Sequence, residues 1–302
     1  MMEPRPPTLD QLQVFLAVVA EGSFSAAARR LRRATSVISY TIANLEAQLG
    51  LQLFDRTSTK TPKLTEAGQA VLADSRGIAH AIDDLLAKAR GLQGGLEAEV
   101  VLVVDVMAPM RRLVQVFDAF RTTFPTVTLR LYVEAMGAVA QSVLSGQADL
   151  GVSGPLAAEL EGLERRQMGS VRLVPVAVPT HPLAAYQETV PMTVAAKQLQ
   201  LVLTDRSPLT QGREFAVIGT STWRLADLGA KHELLLGGIG WGSLPEEMAA
   251  ADIAAGRLIR LNIDTWDNIT YQLQAIHKRD KPLGPAGRWL VEQLSAILVP
   301  QA

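Results

Sequence analysis

The sequence predicts an α-helical head, a long connecting helix and a C-terminal α/β domain. Three observations predict it. Short helical periods with tight breaks fill residues 8–50. A glycine-rich break stands at Gly91-Leu92-Gln93-Gly94-Gly95. Beyond it, apolar runs of strand length alternate with amphipathic helical stretches.

In the head, Thr8 with Gln11 fits a capping box, and Leu12, Phe15, Leu16 and Val19 line one helix face. Glu21-Gly22-Ser23 ends that helix. Ser23 can cap a second one running through Ala26, Ala27 and Leu31. Arg33-Ala34-Thr35 breaks the chain before a third helix, with Val37, Ile38, Ile42, Leu45 and Leu49 apolar and Gly50 as a left-handed stop. Such spacing makes a helix-turn-helix. Leu51 to Lys63 reads as a hairpin with a polar tip at Thr57-Ser58-Thr59-Lys60, which supplies a wing. Thr65-Glu66 opens a long helix whose seam, Val71, Ile78, Ile82, Leu85 and Leu86, is wider than the small head can cover. A second helix, and so self-association, is expected against it, the alternative being a helix packed on its own domain.

After the break, strands are expected at 100–104, 127–133, 149–153, 171–178, 199–203, 215–218, 239–244 and 269–276, and helices at 110–124, 138–145, 227–236, 246–255 and 287–298. Alternation of this kind implies a mostly parallel sheet covered on both faces.

Composition narrows the function classes. Of the 302 residues, 48% are hydrophobic and 20% charged, so a packed core is expected rather than disorder. Cysteine is absent, which removes disulfides, thiolate metal sites and thiol redox sensing. Residues 1–10 lack the apolar stretch of a secretory signal, and no run approaches the ~20 apolar residues of a membrane span, so a soluble cytoplasmic protein is expected. His80, His181, His232 and His277 have no partner at metal or catalytic spacing. Gly237-Gly238-Ile239-Gly240 lacks the lysine of a phosphate loop, and no nucleophile elbow is present. No enzyme, metal site or cofactor is expected.

The net charge of −1 hides a local basic patch. Between Ser23 and Lys63 stand Arg29, Arg30, Arg32, Arg33, Arg56, Lys60 and Lys63 against Glu46 and Asp55, a balance of +5. Such a patch on a helix-turn-helix suits the phosphate backbone of duplex DNA. The third helix opens Thr35-Ser36-Val37-Ile38-Ser39-Tyr40-Thr41, short hydroxyl side chains that can meet base edges or phosphates, with Val37 available to a thymine methyl. Thr35 or Ser36 could equally serve as the helix N-cap, and Val37 could be core. The candidate DNA contacts are Arg32, Arg33, Thr35, Ser36, Val37, Ser39, Tyr40, Arg56, Lys60 and Lys63.

An ordered series of motifs then stands out: Ser25-Ala26-Ala27-Ala28-Arg29-Arg30-Leu31, Val37-Ile38-Ser39, Leu45-Glu46, Leu49-Gly50, Leu53-Phe54-Asp55-Arg56 and Leu64-Thr65-Glu66-Ala67-Gly68. Over about sixty residues it resembles the DNA-binding domain of LysR-type transcriptional regulators. Where that family usually carries Gln-Pro, this chain has Thr35-Ser36, a departure that bears on the preferred base sequence. Asp149-Leu150-Gly151-Val152 and Gly256-Arg257-Leu258 resemble runs of the family's effector domain.

The resemblance implies two α/β subdomains, similar to periplasmic binding proteins, joined by crossings near Ser170 and Ile269 around a cleft. It also implies a dimerising long helix and a dimer or tetramer. The expected division is 1–65 for the winged helix-turn-helix, 66–95 for the linker helix and hinge, and 96–302 for the effector domain. Within the last, one subdomain takes 96–170 and 270–302, the other 171–269.

A cleft at the carboxyl ends of the strands would be lined by Met107, Ala108, Glu134, Ser153, Thr204 and Trp223, with Trp241 a further candidate. Helix N-termini there suit a small organic acid such as a carboxylic acid, and the tryptophans suit an aromatic one. The implied function is a sequence-specific, effector-modulated transcription regulator. A solute-binding protein, or an enzyme with an accessory DNA-binding domain, is the alternative.

Overall fold

A computed structural model describes residues 6–55, 62–264, 266 and 269–298, and the chain divides into units of residues 1–90 and 91–302.

In the first unit, α1 (Leu9–Glu21), α2 (Phe24–Leu31) and α3 (Thr35–Leu49) precede a short antiparallel pair, β1 (Phe54–Asp55) and β2 (Lys63–Leu64), and then α4 (Glu66–Gln93), which runs on past the boundary. The capping box at α1 forms: Gln11 N donates to Thr8 Oγ1, and Thr8 N donates to Gln11 Oε1 at 2.7 Å. Ser23 caps α2 by accepting from Ala26 N. Gly50 ends α3 at φ 67°, where a side chain would be strained. Neither Thr35 nor Ser36 caps α3. Ala34 is the N-cap, its carbonyl accepting from Val37 N and Ile38 N, because the helix has already begun at Thr35.

The core of this unit is Val14, Phe15, Val18, Ala27, Ile38, Ile42, Leu45, Leu53 and Phe54. Phe54 stands edge-on to Phe15 and Phe24, at 5.6 and 5.5 Å between centroids, and so ties the hairpin to the helices. On α4, Val71 and Leu72 pack on that core, whereas Ile78, Leu85 and Leu86 are exposed.

The second unit holds β3 (Glu99–Asp105), α5 (Met110–Thr123), β4 (Thr128–Glu134), α6 (Gly137–Leu144), β5 (Leu150–Ser153), β6 (Leu163–Ala177), α7 (Met192–Ala195), β7 (Gln200–Leu203), β8 (Thr222–Leu225), α8 (Leu228–Leu236), β9 (Gly242–Pro245), α9 (Glu246–Ala254), β10 (Ile259–Arg260), β11 (Thr270–Lys278) and α10 (Pro285–Leu298). The sheet order is β10-β6-β11-β5-β3-β4, with β9 also on β6 and β7 beside β8.

The expected mostly parallel sheet is corrected. Only β3 with β4, β3 with β5, and β7 with β8 run parallel among the described strands, and β6 pairs antiparallel with β9, β10 and β11. The reason is connectivity: helices α5 and α6 provide the crossovers that β3, β4 and β5 need, whereas β11 arrives from much later in the chain, lies between β5 and β6 and runs against both.

Strand β6 begins eight residues before the apolar run that predicts it. Its first half carries the solvent-facing Glu164, Arg165, Arg166 and Gln167. Residues 163–172 of β6 pair with β11, and residues 173–177 pair with β9 and β10. The two long strands therefore pass between two lobes near Ser170 and Thr270. The expected strand at 215–218 is absent. There Ala216 adopts φ 54° and the Gln200 side chain bonds the backbone, and the edge strand is β8 instead.

Candidate functional site

The surface of α3 follows from its period. Ile38, Ile42, Leu45 and Glu46 face inward, so Thr35, Ser36, Val37, Ser39 and Tyr40 share the open side. Val37 and Tyr40 are 45% and 68% exposed, which removes the core reading of Val37. Ser39 Oγ donates to Thr35 O, and Thr41 Oγ1 to Val37 O, leaving the Ser36 hydroxyl and the Tyr40 ring to solvent.

Arg32 is exposed at the left-handed end of α2. Arg33 is held in a two-pronged ion pair with Asp10, at 2.6 and 2.8 Å. The Arg33 hydrogen bond holds the Asp10 carboxyl below its usual range. Asp10 precedes the basic stretch of residues 23–63 and takes one of its charges, so the basic patch is weaker than its sequence suggests. Asp10→Asn should release Arg33 and steepen the salt dependence of binding to random duplex by about one unit. A fluorescence-anisotropy salt series checks this, and an unchanged slope would show that Arg33 does not reach the backbone.

Lys63 is exposed on β2. Arg56 and Lys60 lie outside the described residues. The base of the hairpin is fixed by buried groups: Glu46 Oε1 accepts from Leu53 N at 2.8 Å and from Phe54 N at 3.2 Å. Thr65 donates to Gln52 O and accepts from Gly68 N, so it joins the hairpin to the start of α4. A Cβ on Gly68 would lie 2.2 Å from Leu53 O, which is why that turn needs glycine.

In the second unit, a cavity of about 200 Å³ lies between the lobes, with Met107, Met136 and Leu156 on one side, Leu201, Leu203, Phe215 and Lys231 on the other, and Ile269, Thr270 and Tyr271 at the crossing. A wider groove of about 610 Å³ shares Met107 and Thr270 and adds Ala108, Arg112, Arg172, Glu246 and Glu247. Its charges are largely spoken for, since Arg112 pairs with Glu247, and both Arg172 and Arg260 with Glu246.

Under the smaller cavity, Asp105 is fully buried. Burial pushes its pKa up to about 6, although the Met107 N–H and the Tyr271 hydroxyl, at 2.7 Å, favour the charged form. Tyr271 is raised by burial and by Asp105. The N-terminus of α6 is already occupied: Asp205 accepts from Ala138 N and from the Thr210 hydroxyl. That of α8 is closed by its own Asp227, which accepts from Ala230 N.

The structure therefore brings Met107 to both cavities and Ala108 to the wider one. The other five expected residues lie elsewhere. Trp241 is fully buried in a core cluster, edge-on to Trp266, with its indole N–H on Ala195 O. Trp223 sits half-exposed on the edge strand β8, and Glu134 is exposed at the end of β4; neither lines either cavity. Thr204 is turned into backbone pairing with Leu225 O and also lines neither. Ser153 is fully buried, lines neither, and its hydroxyl has no partner among the described residues.

Sequence reasoning missed Lys231, because nothing in Leu228–Leu236 marks its lysine as turning inward. It also missed the bond between His232 and Asp252, at 2.8 Å. Burial would raise Asp252, but Arg257 and His232 outweigh it and hold that carboxyl low. His181 caps the turn Pro182–Ala185 by accepting from Leu183 N. Among the described residues, no cluster of His, Asp and Glu could hold a metal, and no helix is long and apolar enough to cross a membrane.

Comparison with known proteins adds two matches along the chain. Residues 9–69 match the family "Bacterial regulatory helix-turn-helix protein, lysR family", and residues 93–298 match "LysR substrate binding domain". The chain is 27% identical over 307 aligned residues to the probable HTH-type transcriptional regulator YhaJ of Escherichia coli (strain K12), covering 98% of this chain and 99% of that one. It is 31% identical over 258 residues to the HTH-type transcriptional activator AllS of Klebsiella pneumoniae, covering 83% and 93%. Full-length LysG of Corynebacterium glutamicum with bound effector Arg shares the fold, with a TM-score of 0.51 at 22% identity, covering 97% and 100%.

Proposed function

Because this chain belongs to the LysR family of bacterial transcriptional regulators, we propose that the open face of α3 reads the major groove while a small organic acid enters between the lobes of the second unit. The protein is a DNA-binding transcriptional regulator with an effector-binding domain. Thr35, Ser36, Val37, Ser39 and Tyr40 address base edges and nearby phosphates. Arg32 and Lys63, together with Arg56 and Lys60, supply the salt-sensitive attraction to the backbone, and Arg33 adds to it where it leaves Asp10. Two copies pair through the exposed Ile78, Leu85 and Leu86 of α4, which sets two reading helices on half-sites about 34 Å apart. Occupation of the cavity, with Met107 on its wall, shifts the balance between arrangements of the two half-site contacts. Regulation of this kind takes place where the chromosome lies, in the cytoplasm.

The observation that carries the reading is the exposure of Ser36 and Tyr40 on a helix whose opposite face is fully packed. Selection of binding sites from a random duplex library tests it. Ser36→Ala and Tyr40→Ala are expected to change the selected bases at one or two positions, each worth ~1–3 kcal/mol of discrimination, while binding to random DNA stays within a few-fold. Identical selected sites for both variants and the parent protein would defeat the assignment.

A further inference from the structure

The cavity between the lobes is walled mainly by apolar side chains, and most of its polar groups are already in use. The Gln200 amide donates to Ala216 O and accepts from Ile218 N and Gly219 N. The Tyr271 hydroxyl donates to Asp105, the Ser243 hydroxyl accepts from the Trp266 indole, and Thr270 has its own partner. Lys231 differs. It is 3% exposed, and its Nζ donates to Ser243 O at 2.7 Å. An ammonium carries three donors, so two remain. No carboxylate pairs with it among the described residues, and burial alone drives its pKa down. Buried charges in proteins are ordinarily paired. Here the missing counter-charge faces a cavity with room for a small molecule.

We propose that Lys231 is the anion anchor of the cavity and that the ligand is a monocarboxylate with a compact apolar body. Its carboxylate takes the two unused N–H groups of Lys231. Its body, about ten non-hydrogen atoms at the packing density of a protein interior, lies against Leu201, Leu203, Phe215 and Ile269. A phosphate ester fits less well, because its second charge needs further donors and no arginine lines the cavity. The proposal rests on the reading that the interlobe cavity receives the effector. It moves the source of acid recognition from the N-termini of α6 and α8, which Asp205 and Asp227 occupy, to a side chain.

The test uses the full chain and three acids, cyclohexanecarboxylate, 4-methylpentanoate and phenylacetate, each beside its primary amide. Thermal shift screens them, and calorimetry measures whatever binds. At least one acid is expected to raise Tm by several degrees where its amide does not, and Lys231→Met and Lys231→Gln should each weaken that acid tenfold or more. If an acid and its amide bind alike, the anchor is wrong and the effector reading survives. If both variants keep the parent affinity, or no acid binds, the anchor is likewise overturned. The effector reading itself then stands or falls on a separate screen, in which the amides and other uncharged compounds are tested for a change in DNA binding.

Discussion

Glu46→Ala is expected to destabilise the N-terminal unit by about 2–4 kcal/mol and to weaken DNA binding with it, because two buried backbone donors lose their acceptor. Those donors, Leu53 N and Phe54 N, belong to residues that are 0% and 5% exposed, so water cannot take over the bonds without opening the core. Phe54 would lose its fixed place against Phe15 and Phe24, and the hairpin would loosen where it leaves the helices. Glu46→Gln keeps an acceptor oxygen at the same reach and should lose much less. Urea unfolding of the two variants beside the parent chain checks the claim. Equal losses for alanine and glutamine would mean that charge, not hydrogen bonding, is what the site requires.

The second large effect has the opposite sign. Lys231→Met is expected to stabilise the effector-binding domain at neutral pH. Burial holds Lys231 at a pKa of about 8 against 10.5 for a free lysine. The unfolded chain therefore binds the proton more tightly than the folded one between those values. It follows that the native state carries a penalty of roughly 3 kcal/mol below pH 8, and that stability rises with pH from about 8 until the penalty vanishes near 10.5. Loss of the bond to Ser243 O offsets about 1 kcal/mol, leaving a net gain of about 2 kcal/mol and a rise in Tm of ~4–8 °C.

Calorimetric melting of the parent and Lys231→Met from pH 7 to pH 10 reads this directly. The gap between the two should close as pH rises. A gap that stays constant from pH 7 to pH 10 would show that Lys231 keeps an ordinary lysine pKa in the folded protein, so that burial imposes no penalty. A stabilised variant that no longer binds an acid is the pattern expected where a site keeps an unfavourable group for its ligand.

Much of the head could be read without coordinates. Thr8 with Gln11, Ser23 and Gly50 mark helix ends by local chemistry, and the 3.6-residue period of Ile38, Ile42 and Leu45 already places Ser36 and Tyr40 on the outer face. The candidate cavity was far less legible. Of the seven residues expected there, Met107 and Ala108 line a cavity, since the loop after β3 follows from a buried strand run. Residue type alone points to Trp241, and type does not distinguish a core tryptophan from a ligand-facing one.

What the sequence determined by itself is what neighbours in the chain decide: helix caps, periodicity, the break near Gly91, and the alternation of helix and strand. Tertiary structure alone decided which charges remain available. Arg33 is neutralised by a carboxylate 23 positions earlier, Glu46 is spent inside on the hairpin, and Lys231 is buried without a counter-ion among the described residues. The physical reason is that caps and periods act over a few residues along the backbone, whereas the fate of a charge depends on burial and on partners that only folding brings within reach.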